Sequence, residues 1–145
     1  TRSERKRGNQ MKERIEEISK LIGIDLNNAF NGHKIVCRVY TNVASQQIRI
    51  RMSKCVKKQK YGKALEAVLG CDYETFKKHI ESKFTDGMSW ENYGKWHFDH
   101  NEPTSRINSM DSFLKILNYQ NIQPLWAKDN LKKGNKNNKE WRGEE

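Results

Sequence analysis

Apolar residues recur at helical spacing in the first part of the chain. Met11, Ile15, Ile18 and Leu21/Ile22 form one stripe and Gly23 closes the run, which predicts an amphipathic helix over 10–22 with the stripe as its packing face. Ahead of it, residues 1–9 (T-R-S-E-R-K-R-G-N) show no apolar period and are expected to be a disordered basic arm. Within 24–42, the run H-K-I-V-C-R-V-Y suits either a short strand or a buried turn of helix. Residues 43–61 also admit two readings, because I-R-I-R-M alternates with period two. Over the longer window Ala44, Ile48, Met52 and Cys55/Val56 share one helical face while Arg51, Lys54 and Lys58 line another, and length decides for helix. A further helix is predicted over 73–84, with Asp72 as N-cap, Phe76, Ile80 and Phe84 four apart, and Asp86-Gly87 ending it. The Trp- and Tyr-rich stretch M-S-W-E-N-Y-G-K-W that follows reads as core and turn.

From Trp96 to Lys136 the pattern changes. W-H-F-D-H-N-E-P leads through a short helical pattern (Met110, Phe113, Leu114, Leu117) to N-I-Q-P-L-W-A-K-D-N-L-K-K-G-N-K, a strand-like run and a basic helix stopped by Gly134. Neighbouring strand residues point to opposite faces. Asp99 and His100 therefore serve one centre only where the strand leaves regular geometry, as the following Pro103 suggests.

Charge sharpens this picture. The 145 residues carry a net charge of +10, and all of the excess lies in the first half: residues 1–70 hold sixteen basic and six acidic side chains, whereas 71–145 hold twelve of each. Between Asp25 and Glu66 there is no acid, yet nine basic residues occur (Lys34, Arg38, Arg49, Arg51, Lys54, Lys57, Lys58, Lys60 and Lys63). A solvated face mixes signs, so this one-sided stretch is the footprint of a polyanion binder. It lacks the bulky apolar face of an interfacial helix, and nucleic acid is favoured over acidic membrane. No apolar run approaches the roughly 18 residues of a membrane span and no signal segment opens the chain, so no membrane partner is expected. Cys37, Cys55 and Cys71 form no C-x-x-C pair, which argues against a zinc ribbon or a disulfide framework and suits partly buried thiols in a reducing cytoplasm. His33 and His79 read as boundary or surface residues.

The two late blocks, His97-Phe98-Asp99-His100 with Pro103, then Asn121 to Leu125, Trp126, Asp129-Asn130 and Lys133-Gly134, resemble the HNH endonuclease family in its phage and prophage form. The likeness covers about forty residues directly, and the segment from Leu69 to Gly94 resembles the helix preceding the motif. It implies a ββα-metal core, with Trp96–Asp99 and Ile122–Leu125 as strands and Ala127–Lys133 as the helix. By the same likeness His100 is the general base, Asp99 and Asn130 bind one divalent metal (Mg²⁺ or Mn²⁺), and Asn121 holds the loop, and so the imidazole, by hydrogen bonds to backbone. Phosphodiester hydrolysis needs a base titrating near neutrality and positive charge on phosphate oxygens, which these residue types supply. One carboxylate and one amide oxygen make a hard-oxygen site with open positions. His97 would share a face with Asp99 and touch phosphate or metal, or serve structure. Arg49, Arg51, Lys54, Lys57, Lys58, Lys128, Lys132, Lys133 and Lys136 are expected to meet phosphates. Two features depart from the family: Asn101-Glu102 replaces an apolar pair, and no upstream cysteine zinc site can form.

The expected architecture is α+β, a small ββα core with additional N-terminal helices. It divides into the arm at 1–9, a helical basic DNA-anchoring extension at 10–70, the core at 71–136 and a polar tail at 137–145. The expected function is metal-dependent nicking of double-stranded DNA to leave 5′-phosphate and 3′-hydroxyl ends, in the cytoplasm of a bacterial or phage-infected cell, by a chain that acts alone, as a homodimer or within a larger phage assembly. The alternative is a non-catalytic nucleic-acid-binding module on the same scaffold; a colicin-like toxin is a weaker one.

Overall fold

The computed structural model describes residues 1–30 and 34–143, with residue 29 and residues 34–40 described in backbone only; His33 lies outside the described residues. The chain mixes helices with one two-stranded antiparallel sheet. The helices are α1 (Arg2–Ile22), α2 (Leu26–Ala29), α3 (Lys34–Lys58), α4 (Lys63–Leu69), α5 (Tyr73–Ser82), α6 (Met110–Ile116), α7 (Ala127–Lys133) and α8 (Asn138–Arg142). The strands are β1 (Trp96–His100) and β2 (Ile122–Trp126).

Helix α1 starts at Arg2, so the expected disordered arm is helical. Thr1 and Glu4 form a capping box, and the charged residues that follow are good helix formers, so no apolar period is needed to extend the helix outward from its packed end. Only its C-terminal half packs: Ile18 and Ile22 are buried, and Gly23 ends it in a left-handed turn with its N–H on the Ser19 carbonyl. Arg14 donates to the carbonyls of Ala67 (2.5 Å) and Val68 (3.4 Å), tying α1 to the last turn of α4 where carbonyls lack helical partners.

The ambiguity over 43–61 resolves to helix. Ala44, Ile48, Met52, Cys55 and Val56 are buried along α3, while Arg49, Arg51, Lys54, Lys57 and Lys58 stay exposed. The run 34–40 belongs to the same helix, which excludes the strand reading there. On α5 the Asp72 carboxylate accepts the Thr75 N–H at 2.9 Å, and Phe76 and Ile80 enter the core. Cys55 is buried and Cys71 half-buried, both as free thiols.

The hydrophobic core is shared by the N-terminal helices and the strand region: Ile18, Ile48, Leu69, Phe76, Trp96, Phe113 and Ile122 belong to one cluster. Trp96 is its largest fully buried side chain, packed edge-on against Phe84, Trp90, Tyr93 and Phe98 and donating its indole N–H to the Ser89 carbonyl at 2.7 Å. The register pairs Trp96 with Trp126, His97 with Leu125, Phe98 with Pro124, Asp99 with Gln123 and His100 with Ile122. α7 follows β2 without a loop and packs on both strands.

Candidate functional site

Four segments converge on the end of β1. The first is β1 itself, which stays regular and paired through His100, so the departure from strand geometry expected at His100 comes one residue later. His97 and Asp99 therefore project to one face and Phe98 and His100 to the other.

On the Asp99 face stands an internal ion pair. Lys133, from the last turn of α7, is 1% exposed, and its ammonium donates to Asp99 Oδ2 at 2.6 Å, to the His100 carbonyl at 2.6 Å and to the Asn101 carbonyl at 3.3 Å. This corrects the expectation that Lys133 meets phosphate: all three ammonium donors are engaged inside the protein. Asp99 Oδ2 also accepts from Gln123 Nε2 at 2.9 Å, across the strand pair. Gln123 in turn forms a reciprocal amide pair with Asn138 (2.7 and 2.9 Å).

His100 is half-buried, and its Nε2 is sealed from solvent with no hydrogen-bond partner among the described residues. Burial holds its pKa down to about 4, from an ordinary 6.5; the adjacent Asp99 carboxylate opposes that shift, while Arg49 and Lys133 add to it. The imidazole is thus neutral at physiological pH. A buried nitrogen without a partner costs stability.

Asn121 closes the loop after β1. Its side-chain oxygen accepts the Glu102 N–H at 2.9 Å, its amide donates to the carbonyls of Glu102 (3.0 Å) and Ile116 (2.7 Å), and its own carbonyl accepts the Asn101 N–H at 2.8 Å.

The expected polar tail holds a short helix, α8, that latches onto the same loop. Asn101 Oδ1 accepts the Asn138 N–H at 3.0 Å, Glu102 Oε1 accepts from Asn137 Nδ2 at 2.9 Å, and Arg106 bridges Glu102 (2.9 Å) and Glu140 (2.5 Å). Asn101 and Glu102 thus both receive α8. Gln123, Asn137 and Asn138 escape sequence reasoning because only the cross-strand register and the fold-back of α8 bring them here; spacing alone carries no signal for them.

Asn130 lies one turn before Lys133 on the same side of α7, half-buried, with no side-chain hydrogen bond to a described residue. His97 is half-buried, its ring edge-on to Tyr93 at 5.8 Å. His79 is occupied structurally, its Nε2 2.8 Å from the Ile122 carbonyl. Lys128, Lys132 and Lys136 are exposed around α7.

The donors expected for a divalent ion are Asp99 Oδ1, which receives no hydrogen bond from a described residue, and the Asn130 amide oxygen. Among the described residues no three His, Cys, Asp or Glu side chains converge. This set fits a weakly held hard cation completed by water and phosphate oxygens, and does not fit an all-protein cage.

The chain is similar to two uncharacterized proteins of Acanthamoeba polyphaga mimivirus. One is 35% identical over 92 residues, covering 61% of this chain and 40% of the relative; the other is 33% identical over 72 residues, covering 48% and 32%. The chain thus spans well under half the length of these relatives. No family model and no solved structure matches it.

Proposed function

We propose that the protein is a metal-dependent DNA endonuclease that hydrolyses one phosphodiester bond per encounter. The observation that carries this reading is the gathering of Asp99 and His100 at the end of β1 with Asn121 and Asn130 close by in the fold, the Asp99 carboxylate being held by Lys133 and Gln123. Because β1 is regular through His100, a shared centre requires the end of the strand to bend when substrate binds. His100 takes the proton as the oxygen of an attacking water forms its bond to phosphorus. This requires substrate binding to expose Nε2 and the phosphate's negative charge to raise the imidazole pKa from about 4 toward neutrality. The P–O3′ bond breaks with its electron pair going to the 3′ oxygen, which takes a proton from solvent. The products are 5′-phosphate and 3′-hydroxyl ends. Asp99 and Asn130 would hold a Mg²⁺ or Mn²⁺ ion, which supplies positive charge for the phosphate and leaving oxygens. Asn121 keeps the loop, and with it the imidazole, in position. The exposed bases of α3 and α7 neutralise phosphates on either side.

The test is a supercoiled-plasmid assay with Mg²⁺ or Mn²⁺, beside EDTA and His100→Ala. Metal-dependent conversion to open circle, lost in both controls, is expected. DNA binding without cleavage in either metal would replace this reading with a non-catalytic binding module.

The anchoring role of α3 has its own measurement. Lys54→Glu with Lys58→Glu is expected to flatten the dependence of log Kd on log salt by about two units of slope, because each lysine that meets a phosphate contributes about 0.9. An unchanged slope would remove α3 from the DNA interface.

A further inference from the structure

Beside the candidate site, α3 and the turn before β1 enclose a cleft of about 600 Å³. Ile50, Trp90 and Tyr93 supply apolar wall, and Arg49, Lys54 and Lys57 stand around it. Ile50 is half exposed (50%), an apolar side chain presented among cations with nothing covering it. The cleft adjoins the candidate site through Tyr93, which packs edge-on against His97 at 5.8 Å. Tyr93 is fixed by a hydrogen bond between its hydroxyl and Ser53 Oγ at 3.1 Å, so the wall is preformed.

An apolar, aromatic slot with cations at its rim matches a flat, uncharged ring attached to an anionic chain. We propose that this cleft receives an unstacked nucleobase of a bound nucleic-acid strand, with Arg49, Lys54 and Lys57 holding the phosphates that flank it. The proposal deepens the nuclease reading by giving the strand a fixed register beside the cleavage centre, and rests on that reading only for its proximity to chemistry. Charge complementarity selects the occupant: an apolar peptide would leave three cations without counterions, whereas a nucleotide fills both parts of the slot. Glu91, the one acid in the lining, offers an acceptor for an exocyclic amine.

The experiment is equilibrium binding in EDTA, where no cleavage occurs, of a short single-stranded oligonucleotide and of an abasic strand of equal length and charge. A base–aromatic contact is worth 1–3 kcal/mol, so wild-type protein is expected to prefer the base-bearing strand by about tenfold. Ile50→Ser, which leaves every charge in place, is expected to erase most of that preference. Lys57→Gln is expected to weaken both strands alike and keep it. Equal affinity for the two strands, a preference that survives Ile50→Ser, or equal competition by polyglutamate would overturn the proposal. Failure of the nuclease reading would show instead as an intact base preference with no cleavage when metal is supplied.

Discussion

Replacing Lys133 by Met is expected to destabilise the protein by about 3–5 kcal/mol, the cost of leaving a buried charge uncompensated when its partner is removed. Lysine and methionine are close in volume, so the change isolates the ammonium. What it removes is the donor to Asp99 Oδ2 and to the two carbonyls that follow. Urea denaturation of Lys133→Met, Asp99→Asn and the double variant checks this. The double variant should recover much of the loss, because no lone carboxylate then remains in the interior. A Lys133→Met protein within about 1 kcal/mol of wild type would mean that Asp99 finds water or another partner, and that the ion pair does not organise the site.

The second large effect concerns pH. Between pH 6.5 and about 4 the unfolded chain binds a proton at position 100 that the folded chain refuses. Stability from this residue is therefore complete above pH 6.5 and is lost as pH falls through that window, by up to about 3 kcal/mol. Other carboxylates titrate nearby, so the measurement is the difference between wild type and His100→Gln, in EDTA, from pH 7 to pH 4. Wild type should lose up to about 3 kcal/mol relative to His100→Gln between pH 7 and pH 4. Parallel curves would mean that His100 titrates normally and that its ring is solvated.

Much of the scaffold was legible because its signals are local. The Phe76/Ile80 stripe with its Asp72 cap and the Ala44-to-Val56 stripe each repeat within one element, and sequence spacing reads them directly. The strand pair and α7 also lie where the motif blocks put them. Helix α1 was cut short because its first turns bury nothing, and a pattern search sees only burial. Helix α4 was missed because it is short and its N-cap, Gly62, makes no side-chain bond. Lys133 was misread for a different reason: an isolated lysine is exposed by default, and only the packing of α7 onto β1 reveals its carboxylate. The cleft combines α3 with a turn far along the chain, a pairing that spacing does not encode.

The latch formed by α8 sets an order in time. Helices α1 to α5 can form while the rest of the chain is still being synthesised, and their core is completed by Trp96, Phe113 and Ile122. The loop after β1 has no finished set of partners until Asn137, Asn138 and Glu140 have left the ribosome and folded back. A nascent chain that ends before them carries Asp99, His100, Asn121 and Asn130 but lacks the contacts that close the loop after β1.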